Sequence, residues 1–314
     1  LMPAELWTLE GDGNWRTEYG TPYNTRDNLV YGTYRPDATT TGILSDRADL
    51  TVVVGDYQTT SSNELHEGKW FKGKITVKHP GCVFKNCLIT GDTAGPSSPS
   101  YSAFTNYDRL TTRTIIQDCT IEASVLSVYS GNGIHGKDYE LYRCDISGWV
   151  DGIGMYDRNV IAKGNWVHDL RFWAWDPSHS DGSHNDCIQV HGGDNFTIVG
   201  NSLEGGYKIN SCIMVTQDIA PTSNLTIDKN WLISEYSPTA SATACGLNVS
   251  NTGSGGGGAA MTGVTITNNF FSPYTSFSAN WSALVDASTR TAATISHNYN
   301  LGTTTLAKGL HYGV

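Results

Sequence analysis

The chain writes one short pattern eight times: alternating apolar residues, then an Asn or a stand-in, then a second apolar run. The first copies are Val83-Phe84-Lys85-Asn86-Cys87-Leu88-Ile89 and Ile115-Ile116-Gln117-Asp118-Cys119-Thr120-Ile121. A middle one is Ile161-Ala162-Lys163-Gly164-Asn165-Trp166-Val167, and the last is Ala293-Thr294-Ile295-Ser296-His297-Asn298-Tyr299. With Asn86, Asp118, Arg143, Asn165, Asn201, Asn230, Asn269 and Asn298 as markers, the spacings are 32, 25, 22, 36, 29, 39 and 29 residues. Apolar residues that alternate with polar ones carry the strand period, and helical repeats keep a stricter spacing. A constant strand core with loops of uneven length between strands predicts an all-β chain. The expected fold is a right-handed parallel β-helix of about eight or more turns, each burying its inward side chains against its neighbours.

A second column supports this. Phe104, Ile134, Ile153, Ile188, Ile213, Leu247 and Leu284 each sit in a short apolar strand with small neighbours and are expected to stack internally. The marker position is expected to take a positive φ, which Asn tolerates, with its amide bonded to the next turn. Residues 1–74 carry aromatic residues in irregular order (Trp7, Trp15, Tyr19, Tyr23, Tyr31, Tyr34) and read as an N-terminal cap with the first strands. Residues 75–314 read as one continuous β-helix domain. The run Gly253 to Gly258 reads as a flexible loop; no Lys-Ser/Thr follows it, so it is not a phosphate loop.

A net charge of −10 disfavours nucleic acid and anionic membranes as partners. No apolar run reaches the roughly 18 residues of a membrane span. The seven Cys show no CxxC spacing and fall about one per turn, which reads as small buried hydrophobes, with a few disulfides between turns as the alternative. No metal site and no cofactor are expected; a structural or catalytic calcium ion stays open as an alternative. The opening at Leu1 shows no basic and apolar leader.

Chemistry concentrates between Val167 and Gly193, a long insertion holding His168, His179, His184 and His191 with Trp173 and Trp175. Long loops on a rigid scaffold are where binding residues gather. With Ile188 and Val190 facing in, Gln189 and His191 face out, beside Tyr156 on the turn below and His135 and Lys137 further down. Trp173, Trp175, His179, Gln189, Tyr156 and Arg171 are the expected substrate-binding residues, because aromatic rings stack on sugars while amide, imidazole and guanidinium groups bond hydroxyls. Asp176, Asp181, Asp186 and His191 are the expected catalytic residues. A hydrolase would pair the carboxylates across the bond. A lyase would use His191, Tyr156, Arg171 or Lys208 to take a proton beside a carboxylate. Against this, Asp151 and Asp186 both precede a strand, and a repeated Asp at a corner more often binds turn amides than carries out chemistry.

The rungs resemble the parallel β-helix repeats of the pectate-lyase-like superfamily over about residues 50–305. The stretch Ser183-His184-Asn185-Asp186-Cys187-Ile188-Gln189-Val190, with Asn195-Phe196-Thr197-Ile198 and Ser223 to Leu232, resembles a β-helix family of actinobacteria and their phages. Cys187 stands where that family usually has Gly. Its phage members are minor tail proteins, its bacterial members secreted proteins. The resemblance implies a phage tail module in the virion that contacts host cell-surface polysaccharide, with depolymerisation of that polysaccharide left open. Other tail proteins are the implied partners, and a homotrimer is implied by analogy. The alternatives are a secreted polysaccharide lyase or glycoside hydrolase, and a noncatalytic structural spacer.

Overall fold

In a computed structural model, the described residues are 7–9, 15–17, 35–91, 102–123, 131–177, 179–206, 209–234, 245–272 and 283–301. The strands pair in parallel throughout, apart from one antiparallel pair of Trp7–Leu9 with Trp15–Thr17. The chain is a parallel β-helix. Each turn visits three faces in the same order. The first face stacks nine strands from Tyr57–Gln58 to Ala283–Val285. The second runs from Leu65–Glu67 to Thr294–Ser296, and the third stacks ten, from Thr51–Val53 to Tyr299–Asn300. Two long strands, Asp151–Lys163 and Asn185–Val199, bend around the corner between the first two faces and join them into one sheet.

Register places Ile75, Phe104, Ile134, Ile153, Ile188, Ile213 and Leu247 in one inward column. Its last member is Ala283, which pairs with Leu247, not Leu284, which pairs with Asn248 in the outward column. The alternation there is Ala283-in, Leu284-out, Val285-in, so the smaller residue closes the stack.

The marker position also resolves differently. The positive φ falls on Asn86, Asp118 and Arg143, as expected, but on Gly164, Gly200, Lys229, Asn268 and His297 in the later turns. The Asn of those turns stands one residue further on, inside the rod. Asn165, Asn201, Asn230, Asn269 and Asn298 form a buried amide ladder. Each Oδ1 of Asn201, Asn230, Asn269 and Asn298 accepts the backbone amide and the Nδ2 of the Asn one turn earlier, at 2.9–3.1 Å. Corner and ladder are therefore two tasks on adjacent residues. The earlier turns fill the ladder position with thiols. The Asn165 Oδ1 accepts the Cys144 amide, and the Sγ of Cys144, Cys119 and Cys87 donate to the carbonyls two residues back, as Asn269 and Asn298 do. All seven Cys are free and buried.

Residues 35–50 lie across several turns on the outside of the third face. Arg35 pairs with Glu204 at 2.9 Å, the Gly42 amide donates to the Arg143 carbonyl, and Leu44 and Ser45 donate to Asn86 Oδ1. Arg47 makes a two-pronged pair with Glu122. The strap then enters the first turn at Thr51, and its strands pair in parallel with those of the next turn. The cap expected from the aromatic residues before Arg35 lies outside the described side chains. No helix among the described residues is long and apolar enough to cross a membrane.

Candidate functional site

The outward column of the first face runs Thr76, Thr105, His135, Gly154, Gln189, Met214, Asn248. Its glycine decides the local geometry. A Cβ on Gly154 would meet the His135 ring at 2.2 Å, so the imidazole of His135 occupies the space a side chain would need. His135 thereby leans past one turn to reach His191, with the two Nε2 atoms 3.3 Å apart. Tyr107 and Tyr156 complete a group of four rings, each of the two within 5.3–5.7 Å of a histidine ring and 6.1 Å of each other.

Behind His191 stands Asp218, with Oδ2 3.2 Å from His191 Nδ1 and 2.6 Å from the Thr216 hydroxyl, which donates to it. The hydrogen bond to His191 holds the Asp218 carboxyl below its usual range, against the opposing effect of burial. A carboxylate on Nδ1 favours the tautomer with the proton on that nitrogen, which leaves Nε2 as the acceptor. The 3.3 Å contact is then donated by His135 Nε2. His135 itself is buried, and that burial pushes its pKa down to about 3. Among the described residues its Nδ1 has no hydrogen-bond partner. Lys137 pairs with Asp157 at 2.8 Å at the edge of the group.

Asp218 is positioned by the glycine run. Added Cβ atoms at Gly253, Gly255 and Gly256 would strike the backbone of Gln217, Ile219 and Pro221 at 2.3–2.4 Å. The segment expected to be a flexible loop is packed backbone to backbone against the turn that carries Asp218. The buried Gln217 amide fastens it, donating to Gly256 and Ala259 carbonyls at 2.9 Å.

The expected site residues fall into three places. His191, Tyr156 and Gln189 are on this face, Gln189 in the outward column with His135. Asp186 is buried: it accepts from Asn210 Nδ2 at 3.1 Å and from the Ser211 amide. Asp151, one turn below, accepts the Asp186 amide at 2.9 Å. Burial, and for Asp186 the neighbouring Asp151 carboxylate, push both carboxyls up, Asp151 to about 7. The remaining residues belong to the insertion. Arg171 lies over the Trp173 ring at 4.9 Å, Trp175 is 71% exposed, and Asp176 makes a backbone bridge with His179. His179 stacks on His184, which contacts Asp181 at 3.2 Å. His184, at the end of the insertion, directly precedes the strand Asn185–Val199 that carries His191. Lys208 lies outside the described residues.

Tyr107 and Asp218 were not among the expected residues. Both continue an outward alternation, Thr105 to Tyr107 and Met214 to Thr216 to Asp218, and that extension was the available signal. Among the described residues no group of three or more His, Cys, Asp and Glu side chains is placed to share a metal ion. A cleft of about 370 Å³ on the second face, lined by Leu110, Arg113, Asp138 and Glu140 among others, already has its charges paired: Arg113 with Glu140, Asp138 with Arg158. No protein-family model, no curated protein and no solved structure matches the chain.

Proposed function

We propose that this β-helix binds a polysaccharide along its first face and cleaves it by β-elimination, in the setting of a phage tail acting on a host cell surface. The carrying observation is the group of Tyr107, His135, Tyr156 and His191 on one face with Asp218 behind His191 Nδ1. Half-exposed Tyr107 and the protruding Trp175 supply flat surfaces for sugar rings. His191 Nε2 takes the proton beside a uronate carboxylate. The electron pair forms the double bond as the glycosidic oxygen leaves with a proton from the Tyr156 hydroxyl, and the Gln189 amide bonds the carboxylate while charge develops. Hydrolysis by paired carboxylates is less well supported, because Asp186 is buried with its oxygens on Asn210 and Ser211.

The test is incubation of the chain with envelope polysaccharides, read by size exclusion and by ultraviolet absorbance of the unsaturated product. We expect the polymer to shorten with a rise in absorbance, His191→Gln to abolish both while still retaining polymer, and Tyr107→Ala to weaken retention. Shortening without absorbance would replace elimination by hydrolysis. Retention alone would make the chain an adhesin. No retention at all would leave the structural spacer.

A further inference from the structure

We propose that His135 and His191 chelate a first-row divalent metal ion through their facing Nε2 atoms, with Asp218 orienting His191 from behind. The proposal does not depend on the glycan reading. Two imidazole nitrogens bound to one tetrahedral Zn²⁺ at about 2.0–2.1 Å sit roughly 3.3–3.4 Å apart. His135 and His191 already hold their Nε2 atoms 3.3 Å apart across the intervening strand that carries Gly154, with ring planes inclined at 57°. Little rearrangement is needed to admit the ion.

The supporting groups have the pattern of a metal-binding histidine. Ligating imidazoles usually donate their other N–H to a carboxylate, which sets ring orientation and basicity. Asp218 does this for His191, and is itself steadied by Thr216. His135 Nδ1 has no partner among the described residues, so moving its proton from Nε2 to Nδ1 sacrifices only the bond between the rings, which the metal replaces. Gly154 is the third element, since a Cβ there would strike the His135 ring that leans toward His191.

Two protein nitrogens leave the other positions to solvent, so the site is open rather than structural. Imidazole ligands with no thiolate select Zn²⁺, Cu²⁺, Ni²⁺ or Co²⁺ over Ca²⁺ and Mg²⁺. Metal and proton compete for the same lone pair of His191, so a loaded site has no free base there.

The experiment is a Co²⁺ titration of the chelator-treated chain, followed by visible absorption and by Zn²⁺ displacement, with circular dichroism confirming that each variant is folded. We expect one Co²⁺ bound and displaced by Zn²⁺, no binding in His191→Gln, and unchanged binding in His184→Gln, which removes the stacked His179–His184 pair as a rival. Asp218→Asn should weaken binding roughly tenfold or more. Gly154→Ala keeps both histidines but displaces one, and should also lose affinity. Absence of Co²⁺ binding by the parent chain, binding that survives His191→Gln, or binding lost in His184→Gln alone would each overturn the proposal.

Discussion

At the scale of single residues, the interior of this rod carries a ladder of Asn amides that bond to one another and to backbone carbonyls inside it. Asn201 is the clearest case. Its Nδ2 donates to the Ala162 carbonyl and to Asn230 Oδ1, and its Oδ1 serves Asn165 twice. Replacing it with Ala leaves several buried groups unpaired, each costing about 1–3 kcal/mol. We expect Asn201→Ala to lower unfolding free energy by about 3 kcal/mol or more in chemical denaturation; a loss under about 1 kcal/mol would mean that the ladder is not cooperative. Asp151 gives the opposite kind of prediction. Burial raises its pKa to about 7, above the roughly 3.9 of an unfolded Asp. A group that binds its proton more tightly when folded contributes fully at low pH, and that contribution is lost as pH climbs toward the folded value. Asn at 151 cannot ionise, yet can still accept the Asp186 amide. Between about pH 4 and 7, Asp151→Asn should lose less stability than the parent chain. Parallel stability profiles for the two would refute this.

At the scale of elements, the strap of residues 35–50 is held by hydrogen bonds more than by burial. Leu44 is 56% exposed, while its amide and that of Ser45 both end on Asn86 Oδ1. The Arg47–Glu122 pair lies toward solvent and is expected to contribute little, at most about 1 kcal/mol. Asn86→Ala should therefore speed hydrogen exchange at the amides of 44 and 45 well beyond any change in the core strands. Unchanged exchange there would show that other contacts hold the strap. The same side chain that turns a corner at φ 51° is thus also the pin for a segment over forty positions earlier in the chain.

At the scale of the whole molecule, the turns share one continuous apolar core from Phe71 to Val285. Six of the seven thiols, Cys82 to Cys212, lie in it with no exposed surface, and Cys245 is almost as covered. Burial pushes the Cys119 and Cys187 thiols well above their ordinary range, so neither access nor ionisation favours attack. A thiol reagent should leave the native chain unmodified and titrate all seven only as denaturant unfolds it. Early modification of Cys245 alone would instead show that the C-terminal turns open first, as a linear stack of turns allows.

The strand period and the uneven spacing of the repeats were enough to determine a parallel β-helix, because each turn repeats one local burial problem and alternation solves it in one way. The outward register of Gln189, His191, Tyr156 and His135 followed from the same alternation. What the sequence left undecided depends on contacts between turns. The amide of Asn165 and the thiol of Cys144 belong to one ladder although the motif aligns Arg143 with Asn165; only φ and hydrogen bonding show the one-residue offset. The run from Gly253 to Gly258 reads locally as slack chain, and it is the close approach of another backbone that makes it rigid packing behind Asp218. The meeting of His135 with His191 required a glycine at 154 on the turn between them. A side chain's direction within its strand is written locally; which neighbour it reaches across 56 residues is set by the stacking of turns.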